Sequence, residues 1–238
     1  MKNNVLIIIP AYNESQNIEK VVDHIIQNYP QYDYVIINDG SKDKTREVCR
    51  KRGYQYINLS INLGIGGAVQ TGYKYARDNN YDIAVQIDGD GQHDVAYLEE
   101  MVGMIDRDEA DIVIGSRFIK KEGFQSSISR RAGINILSFL IFICTGKRIK
   151  DVTSGYRVIN KKFIDIYADD YPIDYPEPEA IIAAIMYGGR IQEHPVVMQE
   201  RIGGESSINI AKAVYYMIKV TLAILVRRIS YGIRRQKG

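Results

Sequence analysis

The segment Val85-Gln86-Ile87-Asp88-Gly89-Asp90-Gly91-Gln92-His93-Asp94 sets carboxylates at positions 88, 90 and 94, directly after an apolar run that begins at Ile83. Packing gives no reason for a buried strand to end this way. Acids two apart on a chain leaving a sheet edge can turn toward one point, and the glycines between them let backbone approach whatever sits there. A hard divalent cation shared with a phosphate-bearing ligand suits such oxygen donors. A single Asp here would need nothing more than a helix to cap, and Asp94 fits that simpler task.

Acids so placed need a frame. Apolar, β-branched runs at residues 5–9, 34–37, 54–59, 83–87 and 112–114 read as strands. Between them helices are expected over 16–28, capped by Ser15, from Asp43 as cap to about Arg52, and from Asn62 through Tyr75. Strands alternating with helices at this spacing imply right-handed crossovers and a mostly parallel sheet with helices on both faces. Asn13-Glu14, Asp39, Asn62-Leu63-Gly64, the acidic cluster and Arg117 each follow a strand. All would meet at the carboxyl edge of the sheet, where open α/β sheets bind ligands. The third glycine of a dinucleotide fingerprint is replaced by Val69, and no Gly-Lys-Ser/Thr is present. Hydride transfer and P-loop chemistry are therefore excluded.

The 238 residues, 45% hydrophobic and 25% charged, have the make-up of a globular protein. A net charge of +2 conceals an uneven distribution, with seven Lys/Arg and no acid from Ser206 onward, against 24 basic and 29 acidic groups before it. Such a tail calls for an anionic surface as partner, and nothing calls for nucleic acid. Cys49 and Cys144 lack metal-ligand spacing and read as reduced thiols. The N-terminal apolar run is too short for a signal peptide.

In the second half, Ile134 to Cys144 is an apolar stretch long enough for a buried or interfacial helix but not to span a bilayer. Asp151 to Arg157 reads as a polar loop, and Tyr175-Pro176-Glu177-Pro178-Glu179 opens a helix with two acids in its first turn. Those acids suit either the helix dipole or a substrate. Arg190 to Met198 reads as a strand, followed by a Gly-rich loop around Arg201. From Ala211 to Arg235, Val214, Met217, Ile218, Leu222 and Leu225 share one helical face, with Arg227, Arg228, Arg234, Arg235 and Lys237 following. This pattern fits a helix lying in a membrane interface, and also one packed on the body or in an oligomer.

These pieces, in this order, resemble glycosyltransferase family 2 with the GT-A fold, in its dolichyl- or polyprenyl-phosphate sugar synthase branch. The resemblance is carried by Ile9-Pro10-Ala11-Tyr12-Asn13-Glu14, Asn38-Asp39-Gly40-Ser41, Asn62-x-Gly64-x-Gly66, Asp88-Gly89-Asp90-Gly91-Gln92-His93, Gly115-Ser116-Arg117, Arg130/Arg131, Asp151-x-x-Ser154-Gly155-Tyr156-Arg157 and Arg201-x-x-Gly204-Glu205-Ser206. Glycines at 89 and 91 and Ile65 depart from common family usage, and the transmembrane pair of some relatives is missing. The resemblance implies a catalytic domain over 1–206, with a nucleotide-binding half at 1–118 and an acceptor half at 119–206. Residues 207–238 would be a basic, amphipathic interface helix and tail.

It further implies that Pro10, Tyr12, Glu14, Asp39, Gly64 and Asp88 hold the nucleoside of a UDP- or GDP-sugar, while Asp90 and Gln92 hold Mg²⁺ or Mn²⁺ with the diphosphate. Arg117 and Arg131, beside Arg130 and Ser154, would take a polyprenyl phosphate acceptor, and Arg201 would close over the donor. The protein would be peripheral on the cytoplasmic face of the membrane, with a small membrane protein or further copies of itself as partner. A transferase acting on a hydroxyl would instead need a base from Asp151, Glu177 or Glu179. A silent nucleotide-binding scaffold is the alternative of another class.

Overall fold

The computed structural model describes residues 3–120, 122, 123, 125, 127–199 and 210–236, with no side-chain placement considered at 128, 210–214 and 230–236. Strands β1 (Val5–Ala11), β2 (Asp33–Asn38), β3 (Tyr56–Asn58), β4 (Ile83–Gln86), β5 (Ile112–Ser116), β6 (Arg157–Asn160) and β7 (Ile191–Pro195) form one sheet in the order β3-β2-β1-β4-β6-β5-β7. Helices α1 (Ile18–Asn28), α2 (Thr45–Arg52), α3 (Gly64–Asp78), α4 (Leu98–Asp106), α5 (Ile128–Thr145), α6 (Lys161–Asp169), α7 (Pro176–Met186) and α8 (Ile210–Gln236) surround it.

The strands are apolar on consecutive residues because both faces are covered. Leu6 and Ile8 of β1 point into one core layer with Val35, Ile37, Ala84, Ile112 and Ile114. Val5, Ile7 and Ile9 point into the other, with Ile36, Val85 and Val113. That two-residue alternation sorts one unbroken run between two helical layers. Pro10 sits beyond the last residue of β1 paired with β4, so its missing N–H breaks no ladder bond there, and its carbonyl accepts from Gly89 N.

The expected parallel sheet is present, with one exception that the sequence reading missed. Residues 157–160, which begin at the last residue of the expected polar loop 151–157, form β6, antiparallel to both β4 and β5. At four residues, the first of them the buried Arg157, its apolar signal is too brief to stand out. Because β6 runs backwards, the loop that precedes it lies at the carboxyl edge of its neighbours. Asp151 to Tyr156 thus joins the strand ends that carry the other polar groups.

Two helix starts differ from expectation and a third agrees with it. Ser15 does not cap α1; its N–H instead donates to Asp43 Oδ2, and Asn17 is the cap residue. Asp43 accepts from Thr45 N at 2.9 Å, one residue before the assigned cap of α2. Asp94 does cap, accepting from Ala96 N at 2.9 Å. Helix α5 is also longer than the apolar stretch 134–144 suggested.

Helix α8 packs Val220 and Ile224 into the core and lays Tyr216 and Met217 against it. The single apolar face read from the sequence therefore divides. Met217 turns inward, whereas Ile218, Leu222 and Leu225 are exposed with Val226 and Ile229. Asp170 receives both guanidinium nitrogens of Arg227, at 3.0 and 2.8 Å, and Asp174 pairs with Lys219. Among the described residues no helix is long and apolar enough to cross a membrane.

Candidate active site

Where β1, β2 and β4 end and α3 begins, a cleft of about 380 Å³ opens, lined by Pro10, Ala11, Tyr12, Glu14, Asp39, Asn62, Gly64, Ile65, Ala68, Asp88, Gly89 and Asp90. All seven positions assigned to the donor (Pro10, Tyr12, Glu14, Asp39, Gly64, Asp88 and Asp90) line it. The strand order explains the convergence. The chain leaves β1 toward β2 on one side, and β4 joins on the other, so the edges diverge between them.

Each wall is fixed locally. Asp39 is buried, and its Oδ1 accepts from Leu63 N at 2.7 Å, tying the end of β2 to the start of α3. Burial raises the Asp39 pKa, against the pull of the Leu63 and Gly64 N–H groups. Glu14 is buried, with Oε2 accepting from Asn17 Nδ2 at 2.8 Å. Helix α3 presents its amino-terminal turn to the cleft, a favourable place for an anion. That turn is pressed against residues 172–173: Gly66 N donates to Ile173 O at 3.1 Å, and a Cβ at Gly66 would lie 2.2 Å from the Pro172 and Ile173 carbonyl oxygens. Only glycine allows this approach.

The acidic turn is held from two sides. Asp88 N donates to His93 Nδ1 at 3.0 Å, while His93 Nε2 lies 3.7 Å from Asp88 Oδ2. His93 stacks on Tyr156 at 5.1 Å, and burial lowers its pKa to about 4. It is thus a neutral ring that accepts at Nδ1 and faces the carboxylate through Nε2–H. His93 stands within the Asp88–His93 motif, where spacing alone assigns it no task. Asp90 Oδ1 accepts from Gln92 N at 3.0 Å, and Gln199 N donates to Gln92 O at 2.9 Å, linking the turn to the chain beyond β7. Gly155 lies against the same carboxylate; a Cβ there would be 3.1 Å from Asp88 Oδ2.

Four carboxylates line this cleft and, among the described residues, no Lys or Arg does. A diphosphate entering it needs a counter-charge. No group of three or more His, Cys, Asp or Glu able to hold a metal is present among the described residues. One or two carboxylates completed by phosphate oxygens is how Mg²⁺ is commonly bound, so Asp88 and Asp90 fit a cation that arrives with its ligand. Gln92 directs its amide toward Gln199 O at 3.5 Å.

The arginines do not share one role. Arg117, 6% exposed, grips the fully buried Asp151 through Nε at 2.8 Å and Nη2 at 2.7 Å, and Nη2 also donates to Thr153. Asp151 further accepts from Arg117 N. With its fork committed in this way, Arg117 positions the 151–154 loop rather than presenting a free fork to an acceptor. Arg131 lies over the Phe118 ring at 4.1 Å and donates to Gln125. Arg130 makes no side-chain hydrogen bond or ion pair among the described residues. Crowding by protein atoms and then the Arg117 charge lower its pKa, although its side chain still reaches solvent. Of the pair, Arg130 is the unengaged cation.

Ser154, expected beside the acceptor, is 1% exposed, and its hydroxyl accepts from Tyr156 N at 3.3 Å. It folds its own loop instead. Arg157 is fully buried, donating to Ser154 O at 2.9 Å and to Glu177 O at 2.8 Å, and so joins that loop to α7. Glu177 is half-buried, its pKa raised by burial and by Asp88 against Arg157 and Arg130. Glu179 lies apart, among Arg227, Asp174, Lys219 and Asp170. Arg201 and the loop to Ser207 lie outside the described residues, as does the expected boundary at 206/207.

The model of the family described as Glycosyl transferase family 2 matches residues 6–167. The chain is 30% identical to a UDP-N-acetylglucosamine–dolichyl-phosphate N-acetylglucosaminyltransferase of Methanococcus voltae, over 81% of this chain and 84% of that one. It is 27% identical to an undecaprenyl-phosphate mannosyltransferase of Micrococcus luteus, over 86% and 87%. Glucosyl-3-phosphoglycerate synthase of Mycobacterium tuberculosis, solved with Mn²⁺, UDP and phosphoglyceric acid, superposes with a TM-score of 0.72 at 18% identity, over 95% of this chain and 78% of that one. This likeness establishes the GT-A architecture.

Proposed function

The chain belongs to glycosyl transferase family 2, and from that premise we propose that it transfers a sugar from a UDP- or GDP-sugar to a polyprenyl phosphate at a membrane surface. The observation that carries the reading is the single cleft lined by all seven donor positions. In it Pro10, Tyr12, Glu14, Asp39 and Gly64 hold the nucleoside, and Asp88 and Asp90 hold Mg²⁺ or Mn²⁺ with the diphosphate. When bound, the cation neutralises charge developing on the departing nucleoside diphosphate. The amino terminus of α3 adds a fixed positive pole.

The names of the Methanococcus and Micrococcus relatives support a lipid phosphate as acceptor. Arg130 is the cation for it, because its guanidinium is uncommitted and a fork of donors matches phosphate oxygens. Arg117 and Arg131 hold the surrounding loop and helix. A lipid phosphate oxygen is already ionised at neutral pH, so the protein's task is to align two anions for in-line displacement with inversion. The exposed apolar residues of α5 (Ile136, Phe139, Phe142, Ile143) and of α8, bordered by Arg228, support contact with an anionic lipid surface.

A second reading, transfer to a hydroxyl, is favoured by Glu177 alone. Asp151 is committed to Arg117, and Glu179 lies among the charges that dock α8. The test is turnover of a panel of UDP- and GDP-sugars with Mn²⁺ and a short polyprenyl phosphate, with no saccharide present. Labelled lipid is expected; label appearing only when a saccharide is added would replace this reading with the second.

A further inference from the structure

Strand β4 reads Ile83-Ala84-Val85-Gln86 and ends in an amide where an apolar side chain would continue the core. Strand register puts Ile8, Gln86, Arg157 and Ile114 in one row across β1, β4, β6 and β5. Residues paired across strands share a face, and Ile8 and Ile114 lie in the core layer beneath α3. Gln86 is fully buried there, and neither atom of its amide has a hydrogen-bond partner among the described residues. A buried amide without a bond is costly, so its presence calls for a physical reason.

Two polar neighbours narrow that reason. Arg157, directly opposite on β6, is committed: Nε donates to Ser154 O at 2.9 Å and Nη2 to Glu177 O at 2.8 Å. The other neighbour is the Asp88 carboxylate. A Cβ on Gly155 would lie 3.1 Å from Gln86 Nε2, 3.1 Å from Asp88 Oδ2 and 3.3 Å from Asp88 Oδ1. Amide and carboxylate therefore converge on one point beside the Gly155 α-carbon, which a side chain at 155 would crowd. The atom that Gln86 turns to this point is its nitrogen, a donor, as a carboxylate requires. His93 Nε2 lies 3.7 Å from the same Asp88 Oδ2, so a ring N–H and an amide N–H both stand near it.

We propose that Gln86 is a positioning residue for the donor's cation. Its amide donates to the Asp88 carboxylate as the cation seats with the diphosphate, and fixes the direction in which that carboxylate presents its oxygens. Carboxylates that hold a metal are themselves hydrogen-bonded, and those outer bonds tune the affinity for the ion. This role rests on the proposed donor cleft, which Gln86 itself does not line.

The experiment measures, by titration calorimetry, the Mn²⁺ concentration needed for half-maximal binding of UDP or GDP, whichever the wild type prefers. It is run on the full chain and on its Gln86→Met, Gly155→Ala and doubly substituted variants, each with a thermal melting curve. Gln86→Met keeps the volume and removes the buried amide, so its melting temperature is expected to equal or exceed that of the wild type. Its Mn²⁺ requirement is expected to rise about 10- to 100-fold, the usual cost of losing such an outer bond. Gly155→Ala crowds the same contact and is expected to raise the requirement too, with the double variant no worse than Gln86→Met alone. An unchanged Mn²⁺ requirement in Gln86→Met overturns the role of Gln86 while the donor cleft stands. A requirement that rises only together with a lower melting temperature makes Gln86 a packing residue and overturns it equally. If the wild type binds neither nucleotide at any Mn²⁺ concentration, the donor cleft and the role of Gln86 are overturned together.

Discussion

At the scale of single residues, the arginines carry the main lesson. Sequence spacing marks Arg117, Arg130 and Arg131 alike as cations beside an anionic ligand, but only the fold shows which guanidinium is already engaged. Arg117 and Asp151 form a buried, bidentate pair, and removing one partner leaves the other charged and unpaired. Asp151→Ala is expected to lower unfolding stability by about 3–5 kcal/mol, the usual cost of breaking a buried pair, measured by denaturant titration. Arg130→Ala should leave that titration unchanged and instead raise KM for the lipid phosphate. Asp90→Ala is expected to abolish Mn²⁺-dependent turnover with the thermal melting curve intact; retained turnover would remove Asp90 from the metal site. Asp88, Asp90 and Asp39 were legible because glycines and strand ends frame them. His93 was not, because its task depends on stacking with Tyr156, 63 residues away in sequence.

At the scale of elements, the parallel half of the sheet was readable from its continuous apolar runs, and β6 was not. Its position is decided by pairing with β4 and β5 rather than by any signal within its four residues. The close contact between α3 and residues 172–173 is likewise a tertiary event. Gly66→Ala would drive a Cβ into two backbone carbonyls, so it should displace the first turn of α3 and weaken nucleotide binding, with a stability loss of about 1–3 kcal/mol. Asp111 shows how the β5 end of the fold is pinned. Burial alone would raise its pKa, but bonds from Arg190 and then Asn160 hold it below the ordinary 3.8. A folded value below the unfolded one means that the unfolded chain takes the proton first. The stabilisation is therefore complete well above pH 3.8 and is lost as pH falls through the lower folded value. Asp111→Asn should be less stable than the wild type at pH 6, with the gap narrowing in acid unfolding curves below about pH 3.8.

At the scale of the whole molecule, α8 belongs both to the body and to the surface. Val220 and Ile224 fill the core, so truncating the helix would uncover that core and confuse folding with membrane attachment. Paired substitution of the exposed Ile218 and Leu222 by Asp avoids this. It is expected to release the protein from anionic liposomes in a flotation assay while leaving the melting curve unchanged; undiminished flotation would remove α8 from the lipid contact. The tail's basic character was legible from composition, but its division into a docked and an exposed face required the partner helices α5 and α7. The proposed reaction is defined by the atom that accepts the sugar. Phosphorus NMR of the reaction with polyprenyl phosphate, the preferred nucleotide sugar and Mn²⁺ reads this at the reacting atom. Replacement of the lipid phosphomonoester resonance by a sugar phosphodiester is the predicted result. A phosphomonoester signal that persists while sugar is transferred to a hydroxyl would contradict transfer to the lipid phosphate.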